Sequence, residues 1–172
     1  MKKQGIEIQE ATTNDIDGIL DVQATVWPIL YSNKEEGISK EDVIESMQPK
    51  GDDVAKVWQR VISSHRDQNG ESNTWVAKDG DKIVGFCYAV KEPNEGQIRS
   101  LYILPGYQNS EVGSILMNRM LDWFGNGANV VLESNKADKF FEKFGFKKSG
   151  KTSVQKLKSG KKIIEYKMKK EN

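Results

Sequence analysis

The sequence predicts a single-domain mixed α/β protein whose sheet of about six to seven strands is mostly antiparallel and flanked by helices. Three observations carry this. Apolar residues recur with helical spacing before residue 70 and then with a period of two. A β-branched and aromatic stretch, residues 97–104, passes through a polar loop with one glycine directly into a helical stretch ending near Phe124. A second strand-then-helix unit follows at 130–144, and two further strand-like stretches flank Ser159-Gly160. The order βααα-ββ-βα-βα-ββ combines hairpins with crossovers, which requires a mixed sheet. At 172 residues the whole chain, 1–172, fits one domain.

Ile6-Glu7-Ile8-Gln9-Glu10 alternates and reads as a short strand. Residues 12–15 offer N-cap oxygens to a helix with Ile16, Ile19, Leu20 and Val26/Trp27 on one stripe, and Pro28 is expected to end or kink it. Ser39 starts a second helix, with Asp42 in the capping-box position; Pro49-Lys50-Gly51 breaks it. Asp52-Asp53 opens a third, striped by Val54, Val57, Trp58, Val61 and Ile62, and Asp67-Gln68-Asn69-Gly70 is expected to close it. Residues 74–78 and 82–91 are strands joined by the hairpin signal Asp79-Gly80-Asp81. The stretch 97–104 is stopped by Pro105-Gly106; Val112, Leu116, Met120 and Trp123/Phe124 then mark the next helix, which Gly125-Asn126-Gly127 stops. Residues 130–133 form a strand, 135–144 a helix ended by Gly145, and 146–157 with 161–168 a final hairpin.

Apolar content of 37% and charged content of 30% describe an ordinary globular chain. No run of apolar residues is long enough to span a membrane, and the N-terminus leads into no signal-peptide core, so a cytoplasmic protein without a membrane partner is expected. One cysteine, Cys87, and one histidine, His65, argue against a disulfide, a zinc site or a His-based triad, and no metal is expected. Charge is uneven. Residues 1–100 carry 12 Lys and Arg against 18 Asp and Glu, whereas 101–172 carry 14 against 7, so a phosphate-bearing ligand would favour the second half. The lysines there also simply solvate a hairpin and tail. Nothing combines a basic stripe with stacking aromatics, so nucleic acid is not an expected partner.

A strand, a polar loop and a helix N-terminus present free backbone N–H groups at the positive end of a helix dipole, which suits an anion. The loop reads Gln108-x-x-Glu111-x-Gly113-Ser114. It resembles the acyl-CoA pyrophosphate loop of the GNAT superfamily of N-acetyltransferases, Gln/Arg-x-x-Gly-x-Gly/Ala. Downstream, Asn135-Lys136-Ala137-Asp138-Lys139-Phe140-Phe141-Glu142-Lys143-Phe144-Gly145-Phe146 resembles the family's Asn-x-x-Ala-x-x-Phe-Tyr-Glu-Lys-x-Gly-Phe. The likeness covers roughly residues 74–168.

The resemblance implies the GNAT fold, with a splay between the two central parallel strands, and acetyl-CoA as cofactor. The pantetheine arm would lie between strands 98–103 and 130–133, near Leu101, Tyr102 and Ile103. The pyrophosphate would rest on the amides of Gln108, Asn109, Ser110, Glu111, Val112, Gly113 and Ser114. Asn135 would touch the pantetheine, or cap the short helix. Glu111 stands where the family has its first glycine, and Gly113 keeps the second. Phe141 replaces the family's acidic tyrosine, and Gln97 and Arg99 stand where glutamates are often found. The implied reaction is acetyl transfer to a primary amine of a small, polyamine-like molecule or a peptide by direct attack in a ternary complex; the alternative is a weak or inactive acyl-CoA-binding protein. Glu95 acting through water is the candidate base. Tyr102 or Tyr31 is the substitute acid, although Tyr102 also reads as a strand aromatic packed on the sheet. The N–H near Ile103 is the oxyanion donor. Trp27, Tyr31, Glu35 and Glu36 would form an aromatic-acidic lip for a cationic amine, a layout similar to small-amine acetyltransferases. The resemblance also admits a homodimer.

Overall fold

A computed structural model describes residues 5–65 and 70–171. Seven strands form one sheet in the order β1-β2-β3-β4-β5-β7-β6: β1 (Glu7–Glu10), β2 (Ser72–Asp79), β3 (Lys82–Lys91), β4 (Gly96–Ile103), β5 (Val130–Ser134), β6 (Lys147–Lys156) and β7 (Lys162–Lys170). Every neighbouring pair is antiparallel except β4 and β5. The helices are α1 (Ile16–Tyr31), α2 (Lys40–Met47), α3 (Asp52–Ser64), α4 (Val112–Phe124) and α5 (Asp138–Glu142).

Alternation along the strands divides the apolar side chains between two faces. On one face Val76, Ile83 and Phe86 meet Ile19, Val22 and Trp58 of α1 and α3. On the other, Ala77, Val84, Ile98 and Leu132 meet Leu116, Met117 and Met120 of α4, together with Phe141 and Phe146. A smaller cluster, Tyr31, Ile38, Val43, Leu157 and Ile163, seals the end of α1 and α2 onto the terminal hairpin. In α2 the capping box forms with Asp in place of Glu: Asp42 donates its N–H to the Ser39 Oγ, and its carboxylate accepts from the Ser39 N–H at 2.8 Å.

Two expectations need correction. Pro28 does not end α1, which continues to Tyr31. Only the bond to the Ala24 carbonyl is forfeited, and the extra turn carries Leu30 and the buried Tyr31 into the core. The helix expected over 135–144 is regular only from Asp138 to Glu142. The chain first makes a turn held by Ser134, whose Oγ accepts from the N–H of Ala137, the N-cap residue, at 3.1 Å and donates to Asp138. The expected break at Asp67, Gln68 and Asn69 lies outside the described residues.

The parallel seam between β4 and β5 is short. Only Gly96, Ile98 and the intervening Gln97 pair with Val130–Leu132, after which the strands part. The departure coincides with a bulge. Tyr88 of β3 faces Ser100 and Ala89 faces Ile98, so Arg99 is unpaired and β4 twists away from β5.

Candidate functional site

The gap opened by this twist is lined by main chain that has lost its partner. The Leu104 N–H donates to the Val84 carbonyl at 2.9 Å. Alternation of an antiparallel ladder then places Tyr102 and Ser100 in hydrogen-bonded pairs with β3, and turns the N–H groups of Leu101 and Ile103 into the gap. The Ile103 carbonyl accepts from Gln108 Nε2 at 2.9 Å. The main chain of Tyr102 is therefore committed to β3, and only its side chain reaches the site.

At one end of β4 the chain forms a 3-10 turn, Pro105–Tyr107, and enters α4. Asn109 sits at φ 58, the left-handed conformation that Asn tolerates better than most side chains. Ser110 Oγ donates to the Tyr107 carbonyl and accepts weakly from the Val112 N–H at 3.4 Å. The N–H groups of Gly113 and Ser114 have no acceptor among the described residues, as helix geometry demands of a first turn. Glu111 precedes the helix at φ −73 and ψ −9, which suits any L-residue; its side chain is exposed and makes no cap. A Cβ on Gly113 would meet Phe140 at 3.4 Å, so this glycine also packs α4 closely onto α5.

The gap opens into a cavity of about 950 Å³. Its wall includes Trp27, Leu30 and Tyr31 of α1, Tyr102 of β4 and Phe141 of α5. The Tyr31 and Tyr102 hydroxyls are 3.0 Å apart. Burial raises both phenols, that of Tyr102 to about 12, so both keep their protons at ordinary pH. Trp27 stands edge-on to Tyr102 with ring centroids 6.1 Å apart, and its buried indole N–H has no acceptor within hydrogen-bond distance among the described residues. Phe141, packed against Phe140 and Phe146, offers no proton.

The other sequence candidates are placed less uniformly. Glu95 lines the cavity at the head of β4, seven residues before Tyr102, hence roughly 20 Å away along an extended strand. Glu35 is exposed in the turn closed by the Asn33 and Ile38 bridge and is not part of the cavity lining. Asn135 does line it, but donates Nδ2 to the Ile164 carbonyl at 2.9 Å. It is not the helix cap. The N-cap position is Ala137, whose N–H donates to the Oγ of Ser134, three residues earlier.

Two carboxylates that sequence reasoning missed also line the cavity, Glu133 of β5 and Glu165 of β7. Glu165 follows the core residue Ile163 by two positions, so the strand period puts both on the face that α1 and α2 cover. That alternation was the available signal. Among the described residues no group of three or more His, Cys, Asp or Glu is placed to hold a metal ion, and no helix is long and apolar enough to cross a membrane.

Residues 70–148 match the Acetyltransferase (GNAT) domain family. A probable N-acetyltransferase of Mycobacterium tuberculosis is 25% identical over 167 residues, covering 93% of this chain and 90% of that one. The crystal structure of the PaiA N-acetyltransferase of Thermoplasma acidophilum in complex with coenzyme A superposes with a TM-score of 0.72 at 18% identity, over 98% of this chain and all of that chain. A GCN5-related N-acetyltransferase structure from Rhodopseudomonas palustris gives 0.73 at 19%, over 100% and 99% of the two chains. The fold is shared with these solved structures.

Proposed function

We propose that this chain, whose residues 70–148 match the GNAT acetyltransferase domain family, is a cytoplasmic acetyl-CoA-dependent enzyme acetylating a primary amine of a small, polyamine-like molecule or a peptide. One observation carries this reading above the others: past Ile98 strand β4 parts from β5, leaving main chain at Leu101 and Ile103 unpaired, and Leu101 lines the cavity that holds the Tyr31 and Tyr102 hydroxyls.

The donor set suits the cofactor. Gly113 and Ser114 would bind the pyrophosphate through amides at the positive end of α4, supported by the ordered turn over residues 108–112. Leu101 and Ile103 would hold the amide-bearing arm as a substitute β-partner, with Asn135 beside it. Acetyl-CoA supplies the acetyl thioester. The Ile103 N–H would stabilise the oxygen on which negative charge develops. Two hydroxyl protons are present in the tyrosine pair and one is used between them, so the other remains available to a departing thiolate. A thiol of pKa about 8.5 needs little such help, which makes the loss of the usual tyrosine at Phe141 tolerable. Trp27 and Tyr31 would shape the acceptor side. Glu95, at its distance, would act on the amine only through water.

The test has two stages. Thermal-shift titration with acetyl-CoA, CoA and nucleotides should show selective stabilisation by the two CoA species; a preference for nucleotides would refute the cofactor assignment. Release of CoA thiol across a panel of amines should then identify turnover. Binding without release for any amine would favour the second reading, a non-enzymatic acyl-CoA-binding protein, to which Phe141, Gln97 and Glu111 lend support.

A further inference from the structure

The proposed base, Glu95, is far from the tyrosine hydroxyls, whereas the acidic group built into the cavity beside them comes from a different strand. The antiparallel pairing of β5 with β7 sets Ser134 against Tyr166 and Glu133 against Lys167. Glu165 is therefore carried just beyond the end of β5, on the face it shares with Ile163, which packs in one cluster with Tyr31. Glu165 is half-buried, and both it and Glu133 line the cavity with Tyr31, Tyr102 and Trp27. Burial and the Glu133 charge raise the Glu165 carboxyl above its ordinary value. The cavity lining also carries cations, Arg99 on β4, Lys136 after β5, Lys147, Lys148 and Lys151 on β6, and Lys167 and Lys169 on β7; among the described residues none of them forms an ion pair with Glu165. A half-buried carboxylate without a cationic partner is costly, and the indole N–H of Trp27 in the same lining lacks an acceptor among the described residues. A ligand that brings a cation and an acceptor atom would satisfy both.

Resting on the acetyltransferase reading above, we infer that Glu165 receives the acceptor's ammonium in this cavity and takes its proton, with Glu133 as a second anionic wall. The transfer is balanced: R–NH3+ and the Glu165 carboxylate become R–NH2 and the carboxylic acid, which returns its proton to solvent after the amine has reacted. An elevated carboxyl is the better proton acceptor near neutral pH. The acceptor class that fits is an amine arriving as a cation, such as a linear di- or polyamine, whose second ammonium meets Glu133.

The test uses the full chain. With CoA saturating, so that no acetyl group is available, calorimetry measures binding of spermidine and of 1,4-diaminobutane to the wild type, to Glu165→Gln and to Glu165→Asp. Kinetics with the same amines and acetyl-CoA give kcat/KM against pH. Glu165→Gln should weaken amine binding at least tenfold and lower kcat/KM by about 10²- to 10⁴-fold, losing the acid limb of the profile, with CoA affinity unchanged. Glu165→Asp should keep most of the binding while losing rate. Wild-type binding and pH profile in Glu165→Gln would overturn the assignment. So would CoA binding to a wild type that takes neither amine, although the CoA site would then stand. Failure of CoA itself to bind removes the acetyltransferase reading, and this inference with it.

Discussion

The Tyr31 hydroxyl, at the last residue of α1, lies 3.0 Å from the Tyr102 hydroxyl on the far side of the β4 bulge. Helix α1 thus delivers one phenol and the central strand another to the point where the sheet opens. Tyr102→Phe should reduce kcat/KM roughly 10²-fold if this pair serves the departing thiolate, with acetyl-CoA affinity preserved. It should also lower the Tm by roughly 2–4 °C, since the buried Tyr31 hydroxyl loses its partner. Steady-state thiol release and a melting curve on the same sample separate the two effects; full activity would dismiss the pair as catalytic.

Glu111 precedes the first turn of α4, in a backbone conformation that does not demand glycine. Its carboxylate is the only acidic charge in the 108–114 loop. Glu111→Gly is expected to tighten acetyl-CoA binding roughly two- to fivefold, the range of a charge at a helix end, with the gain shrinking as salt is added. Unchanged or weaker affinity by calorimetry would mean the side chain stays clear of the phosphates.

Phe141 is 8% exposed and lines the cavity from the opposite side to Tyr31. Phe141→Tyr supplies the missing phenol. A several-fold rise in kcat is expected, with stability reduced by about 1 kcal/mol for burying the hydroxyl. A fall in kcat at unchanged acetyl-CoA KM would show that proton supply does not limit turnover.

His65, the one histidine of the chain, spans Ser72 Oγ and Thr74 Oγ1 at 2.9 Å each. Burial lowers its pKa below the ordinary 6.5, the nearby Glu10 charge opposing this only in part. The neutral ring is favoured in the folded state. Its contribution is therefore fully present above pH 6.5 and is lost as pH falls through the depressed folded value. Melting temperature should decline between pH 6.5 and 5 in the wild type and decline less in His65→Gln. Parallel curves for the two proteins would show that the ring does not couple to folding.

Much of the sheet was legible because period and punctuation agree. The turn at Gly80 (φ 61) joins β2 and β3 where Asp79-Gly80-Asp81 announces it, and Gly125 (φ 90) ends α4. The misreadings share a cause: a local rule was outweighed by packing. Pro28 is a helix breaker by chemistry, yet the last turn of α1 is held by the contacts of Tyr31. Asn135 is a good cap by type, but Ser134 stands at the right distance from Ala137. Glu165 escaped notice because 63 residues separate it from Tyr102, and only the β5 to β7 pairing makes them neighbours. Tyr31 and Tyr102, by contrast, were named for chemistry and prove to touch.

The brevity of the seam at Gly96 and Ile98 has one more consequence. Structurally the sheet is two blades, β1-β2-β3-β4 and β5-β7-β6, riveted along three residues of main chain. A molecule threaded between the blades would act as a missing strand and tie them together, so amide protons of β4 and β5 should exchange more slowly in its presence while those of β2 hardly change. In that sense the protein carries an unfinished sheet, and its ligand completes the weave.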